Sequence, residues 1–181
     1  GDFEQAWSAA NQAFASLQKP LIAMIRGFCI GGGLATALQA DLRISADDGQ
    51  FGIPAARLGL GYQFAGIKKL VHIVGPTMAA EVMLTARKFN ATEAVDMGLI
   101  NRVVPVDDLV NEVTALAATI AANAPRTVRA AKASVLETFK DPAHQDADRI
   151  NALVEACFQS DDYVEGRTAF MEKRTPQFNG K

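Results

Sequence analysis

An α/β fold with a helical C-terminal region is predicted by three observations. First, an apolar run from Pro20 to Ile25 leads through a short loop into Gly31-Gly32-Gly33 and then into good helix formers, which reads as a buried strand, a glycine turn and a helix N-terminus. Second, Leu42, Ile44 and Ala46 alternate as in a strand soon after that helix, and strand, helix, strand in this order suggests a parallel layer. Third, beyond Asp107-Asp108 the chain reads as successive helices separated near Ala124-Pro125, Lys140-Asp141-Pro142 and Ser160-Asp161-Asp162. With 181 residues, 49% of them hydrophobic, the chain is long enough to bury a real core.

In order, Asp2 to Leu17 has the pattern of an amphipathic helix, with Phe3, Ala6, Trp7, Ala10, Phe14 and Leu17 near one stripe by which it should pack. Lys19-Pro20 ends it, and the strand Leu21 to Ile25 follows. After the glycine turn a helix should run to about Ala40, then the strand from Leu42 to Ala46, the turn Asp47-Asp48-Gly49, the segment Gln50 to Pro54, and a loop-like stretch from Ala55 to Phe64. Two helices, Ala65 to Val74 and Thr77 to Ala86, are expected on either side of Gly75-Pro76. Thr92 should cap a helix closing at Gly98, and Leu99 to Val104 should return as a strand before Pro105.

Composition excludes several function classes. A formal net charge of −2, from 18 basic and 20 acidic residues without a basic block, offers no field for nucleic acid. Cys29 and Cys157 lie far apart in apolar surroundings, so neither a disulfide framework nor a zinc ligand set is expected, and buried thiols in a reducing compartment, the cytoplasm, are the simpler reading. No apolar run approaches the ~20 residues of a membrane span, and the first residues are acidic rather than basic then apolar, so neither a membrane partner nor a targeting segment is expected.

The chemistry begins at the three glycines. Glycines at a helix start remove every Cβ there, so N–H groups without intrahelical partners can approach a ligand closely, backed by the positive end of the helix dipole. Such a turn suits a phosphate or a transient oxyanion, and it also suits a tight crossover with no ligand; the glycines alone do not decide.

The strings Gly27-Phe28-Cys29-Ile30-Gly31-Gly32-Gly33, Ala40-Asp41-Leu42-Arg43, Gln50-Phe51-Gly52, Leu58-Gly59-Leu60-Gly61, Leu84-Thr85-Ala86, Ala91-Thr92-Glu93-Ala94 with Gly98-Leu99-Ile100, and Glu165-Gly166-Arg167-Thr168-Ala169-Phe170-Met171-Glu172-Lys173-Arg174, in this order over almost the whole chain, resemble the enoyl-CoA hydratase/isomerase (crotonase) family. The resemblance implies a spiral of ββα turns, with residues 1–105 as the C-terminal part of that core and residues 106–181 as a helical region for trimerisation and for covering coenzyme A. Trimers or pairs of trimers are implied, as is an acyl-CoA ligand of fatty acid metabolism. No separate cofactor and no metal are implied, coenzyme A being part of the substrate. The middle glycine, here Gly32, would supply one of two N–H groups that hold the thioester oxygen as it becomes an enolate oxyanion. Phe170 would cover the pantetheine or adenine end of coenzyme A and Lys173 would meet its phosphate or adenine; without the resemblance they are a core aromatic and a surface lysine.

The chain departs from the family pattern in two respects. Family members usually begin with a further strand and helix region that supplies the second oxyanion N–H, and this chain opens after it, so the N-terminal part of the usual fold is expected to be missing. The glutamates that hold and activate water in the family's hydratases fall at Ala35 and Ala55, which transfer no proton, and a slip of one residue rescues neither. Hydration should therefore be poor. The segment Leu58 to Ile67 with Tyr62, and the tail Ser160-Asp161-Asp162-Tyr163 with Glu165-Gly166, are similar to those of methylmalonyl-CoA decarboxylase, a family member whose matching tyrosine lies at the reacting carboxylate. A phenol suits decarboxylation, since a donated hydrogen bond orients a carboxylate without activating water.

Plainer readings stand beside these. Tyr62 is also readable as a half-buried loop aromatic with a satisfied hydroxyl, and Gln63 as polar lining. His72 and His144 read as structural or solvated, Arg57 as a solvated cation that is also placed to meet a substrate carboxylate, and Lys68-Lys69 as a solvated helix face. Three functional readings follow: a decarboxylase-like lyase working through an enolate, an enoyl-CoA hydratase with an acid not seen here, and an acyl-CoA-binding subunit with little catalysis.

Overall fold

Leu21 to Ile25 is apolar and β-prone, and Asp41 fixes where it begins: its carboxylate accepts the Leu21 N–H at 2.7 Å while its own N–H bonds the Leu21 carbonyl at 2.9 Å. In this computed structural model, which describes residues 2–181 apart from the side chains at positions 2–4 and 7, that segment becomes β1 (Ile22–Ile25). It pairs in parallel with β3 (Leu42–Ala46), Ile22 opposite Leu42, and β3 pairs in parallel with β6 (Arg102–Val104), Ile44 opposite Arg102. A second sheet joins β2 (Phe28–Ile30) in parallel to β4 (Gln50–Gly52), and β4 antiparallel to β5 (Phe89–Asn90), Phe51 opposite Phe89.

The middle strand β3 is buried on both sides rather than on one. Alternation places Arg43 and Ser45 toward water, yet both are buried. Arg43 is accommodated because its guanidinium donates to the carbonyls of Leu99 (2.8 Å) and Ala40 (2.7 Å), and because Asn101 brackets its backbone with two bonds of 2.8 Å. A buried cation is tolerated where every donor finds an acceptor. Burial lowers the Arg43 pKa and the charge of Asp41 works against that shift. These bonds tie the chain after α2 (Gly32–Ala37) to the turn that follows α4 (Ala91–Asp96).

Several expectations are corrected. The helix α1 (Asp2–Ser16) forms, but Ala6, Ala10 and Leu17 of its apolar stripe are exposed and Phe14 is half-buried; Phe3 and Trp7 lie outside the described side chains. An amphipathic face calls for a partner without saying that the same chain supplies it. The helix after the glycines stops at Ala37 instead of Ala40. The cap of α4 is Asn90, not Thr92: the Asn90 side chain accepts the Glu93 N–H at 2.9 Å and the Glu93 carboxylate accepts the Asn90 N–H at 2.9 Å, a reciprocal capping box. The two helices expected on either side of Gly75-Pro76, by contrast, are present: the helical run α3 (Phe64–Thr85) is divided at Gly75, whose φ of 75° and ψ of 166° are not helical.

The described residues fall into two compact units, one comprising Leu21–Thr114 with the residues up to Leu17, the other Ala115–Lys181 with Gln18–Pro20. The first holds both sheets and a core of Leu34, Phe51, Ile53, Leu70, Val82 and Phe89. The second holds α6 (Pro125–Glu137), α7 (Ala147–Phe158) and α8 (Asp161–Glu172), while α5 (Leu109–Ala121) spans the division.

In the helical unit Glu137 ties α6 to the start of α7. The Lys140 ammonium at 2.8 Å, the Asp146 N–H at 2.8 Å and the Arg149 guanidinium hold its carboxyl at about 2, against an ordinary 4.5. A carboxyl held below its unfolded value stabilises fully above that value and loses the contribution as pH falls through the folded one. Glu137→Gln is therefore expected to lower the thermal midpoint near pH 7 and to remove part of the midpoint's fall between pH 4.5 and 2, read by circular dichroism.

Candidate active site

The strand-to-helix turn is made by Gly31, whose φ of 56° and ψ of −115° suit a residue without a side chain. Its N–H donates to Gly52 at the end of β4 at 2.8 Å, and its carbonyl accepts the Ala35 N–H at 2.9 Å. A Cβ at Gly31 would lie 3.9 Å from Pro54 Cδ, so the turn rests on the 3-10 helix Pro54–Leu58. Gly32 and Gly33 open α2, where N–H groups have no intrahelical acceptor. A Cβ built on either meets nothing within 4 Å, which leaves room for a ligand atom in front of them.

Ala55 follows Pro54 in that 3-10 helix. Its side chain is buried, and its carbonyl accepts the N–H groups of Gly59 and of Leu60, the latter at 3.0 Å, folding Leu58-Gly59-Leu60-Gly61 back toward it. That fold delivers Tyr62 to the start of α3. The two sequence-predicted site residues of this unit thus flank this segment: Gly32 follows the turn that approaches Pro54, and Tyr62 follows the loop folded onto Ala55. Ala35 is half-buried one turn into α2. Residues 21–40 and 49–80 contain no aspartate or glutamate, so these segments supply no carboxylate.

Tyr62 is half-buried against the core of the unit, and burial raises the pKa of its phenol. The half-buried aromatic of the plainer reading is what the structure shows: the ring is packed, and no protein group among the described residues bonds the hydroxyl, which is not a buried unpaired group and is therefore open to solvent or a ligand. Leu58, Leu60 and Phe64, on the same segment, are 71%, 61% and 78% exposed.

Other candidates are placed elsewhere. Cys29 is buried and its thiol is pushed up to about 11, which suppresses the thiolate. Lys69 does not belong to a solvated face; it is half-buried and donates to Gln39 Oε1 at 2.8 Å, joining α3 to the chain after α2. His72, His144 and Arg57 are exposed. Among the described residues, no three His, Cys, Asp or Glu side chains gather to hold a metal, and no helix is long and apolar enough to cross a membrane.

Phe170 and Lys173 belong to the helical unit. Phe170 is 82% exposed, so it is not the core aromatic of the plainer reading; it lines an open apolar cavity of about 760 Å³ with Val154, Phe158, Tyr163, Met171 and Phe178. Lys173 closes α8 in the left-handed conformation, φ 55°, with its side chain exposed. The chain beyond α8 is strapped by two carboxylates: Asp162 accepts the N–H groups of Asn179 (2.7 Å) and Gly180 (2.9 Å), and Glu165 accepts Arg174 (2.6 Å) and the Gln177 N–H (2.8 Å). Sequence reading missed these carboxylates, although Asp162 sits in the first turn of a helix capped by Ser160, a position that favours a carboxylate.

This geometry has counterparts in known proteins. The family model described as Enoyl-CoA hydratase/isomerase matches residues 1–181. The chain is 37% identical over 177 residues to the "Probable enoyl-CoA hydratase" of Mycobacterium leprae, covering 98% of this chain and 67% of that protein. It is 39% identical over 171 residues to the crotonyl-CoA hydratase of Syntrophomonas wolfei, covering 92% and 64%. The crystal structure of an enoyl-CoA hydratase from Bacillus anthracis superposes with a TM-score of 0.90 at 31% identity, covering 99% of this chain and 71% of that one. The chain thus spans about two thirds of the length of these relatives, and on the match of both sequence and architecture it belongs to the enoyl-CoA hydratase/isomerase family.

Proposed function

We propose that the protein acts on an acyl-CoA thioester through an enolate whose oxygen is held by the Gly32 N–H, and that decarboxylation of a malonyl-type thioester is favoured over hydration of an enoyl thioester. The observation that carries the choice is the pair Ala35 and Ala55, with no carboxylate anywhere in residues 21–40 and 49–80. Hydration needs a water held and deprotonated at the β-carbon, and without general acid or base each missing group typically costs about 10²- to 10⁴-fold. Decarboxylation makes fewer demands: the bond to the carboxylate breaks, carbon dioxide leaves, and the electron pair becomes the enolate. The Gly32 N–H then stabilises the oxygen, and Tyr62 holds the carboxylate by a donated hydrogen bond.

The test is to offer the purified protein methylmalonyl-CoA and crotonyl-CoA side by side, following carbon dioxide release and loss of the enoyl absorbance. Release with weak hydration supports the proposal. Efficient hydration without release supports the second reading, a hydratase, which the name of the Syntrophomonas wolfei relative favours. Inactivity on both, with coenzyme A esters still bound in calorimetry, supports an acyl-CoA-binding subunit.

Phe170 and Lys173 are proposed to meet the coenzyme A part of the ligand, supported by their exposure on α8. A homotrimer or pair of trimers, acting in the cytoplasm, completes the proposal. Its support is the exposed apolar side chains of the helical unit: Val154, Phe158 and Met171 are 40%, 56% and 79% exposed. Light scattering is expected to give a mass of three chains or a multiple of three; a monomer that resists concentration would remove this part.

A further inference from the structure

We infer that Gly66 is a positioning residue for Tyr62: by carrying no side chain it gives the phenol ring a seat on the first turn of α3 and so sets where the hydroxyl points, an inference that rests on the carboxylate-holding role proposed above. A Cβ built on Gly66 would lie 2.7 Å from Tyr62 Cε1, 3.5 Å from Cδ1 and 3.6 Å from Cζ. These three ring atoms are its nearest neighbours, so the tyrosine ring is the closest obstacle to a Cβ here. The backbone does not call for glycine either: position 66 lies within α3, is not among the glycines of positive φ, and its N–H donates to the Gln63 carbonyl at 3.0 Å in the helix's first turn. Inside a helix glycine is the costlier choice beside alanine, which leaves the ring as the reason for it.

The seat matters because of what else does not hold the ring. Among the described residues the hydroxyl has no protein hydrogen-bond partner, so what places it is packing of the ring, which touches the core and lies close over Gly66. A phenol that must donate to a ligand gains from this arrangement, since an internal hydrogen bond would compete for the same proton.

Gly66→Ala is expected to displace the ring rather than the helix, because a side-chain rotation relieves the 2.7 Å contact. The chain has two tyrosines, so a protein labelled with ¹³C at the tyrosine ζ-carbon gives a readable pair of signals, and Tyr163→Phe assigns them. Gly66→Ala should move the Tyr62 signal. It should also raise the thermal midpoint more when Tyr62 is itself alanine than when the tyrosine is present. With methylmalonyl-CoA, kcat should fall about 100-fold, the effect of a displacement near 1 Å, with KM changing much less. The Tyr62→Phe/Gly66→Ala pair should be no slower than Tyr62→Phe alone. An unmoved Tyr62 signal together with equal midpoint changes in the two backgrounds overturns the inference, even if Tyr62→Phe abolishes activity. A moved signal with turnover indifferent to both substitutions keeps the seat and removes the role given to Tyr62. A Gly66→Ala chain that fails to fold while the Tyr62→Ala/Gly66→Ala chain folds supports the seat.

Discussion

Gly32→Val is expected to slow turnover of the acyl-CoA substrate by about 10²- to 10³-fold, the loss of one oxyanion donor, ~3 to 4 kcal/mol of barrier, while leaving the protein folded. The two halves of this expectation have separate physical sources. Folding is spared because a Cβ at position 32 meets nothing within 4 Å and Gly32 is not among the glycines of positive φ. Helix propensity adds no cost, since valine is a better helix former than glycine. Chemistry is not spared on the proposed reading, in which a thioester oxygen sits against the Gly32 N–H as it gains charge, beside the open space that the valine side chain would enter. Valine carbons there keep the oxygen away from a donor that is useful only along the reaction path. Comparing kcat/KM with the thermal midpoint of the same preparation checks both halves. An active Gly32→Val protein would remove the oxyanion assignment, and an unfolded one would show that the turn is needed for folding instead.

Much of the site was legible because its signals are local. Three adjacent glycines after an apolar run can do little other than turn a strand into a helix, and Gly75-Pro76 breaks α3 where a proline and a left-handed glycine must. What escaped depends on contacts distant in sequence. β2 reads as loop because three residues between Gly27 and Gly31 are too few to show alternation, and its strand character comes from pairing with β4, 22 residues on for Phe28 opposite Gln50. Arg43 reads as a solvent-facing residue because alternation cannot show that Leu99 and Ala40 offer it carbonyls. Lys69 reads as solvated because Gln39 is 30 residues away. Gly66 escaped differently: a lone glycine near a helix start is commonplace, and its meaning appears only when the ring four residues earlier is seen against it.

Tyr62→Phe is expected to slow carbon dioxide release by about 100-fold or more with little change in binding, because it removes one donor and keeps the ring in its seat. The argument turns on timing. Loss of carbon dioxide needs the breaking bond to stand perpendicular to the thioester plane, so that the electron pair enters the forming enolate; a carboxylate held by the Tyr62 hydroxyl spends more of its bound life in that orientation. The phenol must be protonated to donate, and burial raises its pKa above the ordinary 10, so the rate should not fall through phenol ionisation anywhere below that pH. A wild-type profile that declines between pH 7 and 9 and is flattened in Tyr62→Phe would overturn the raised phenol pKa while keeping the hydroxyl in the reaction; a decline at that pH that persists in Tyr62→Phe belongs to another group. On the proposed reading, in which Ala35 and Ala55 leave hydration without its acid and base, phenylalanine should leave the rate of crotonyl-CoA hydration almost unchanged. The ratio of the two rates in one preparation is therefore the sharpest readout. If the hydroxyl holds the carboxylate, Tyr62→Phe collapses that ratio; if Tyr62 only packs against the core, both rates move together or neither moves.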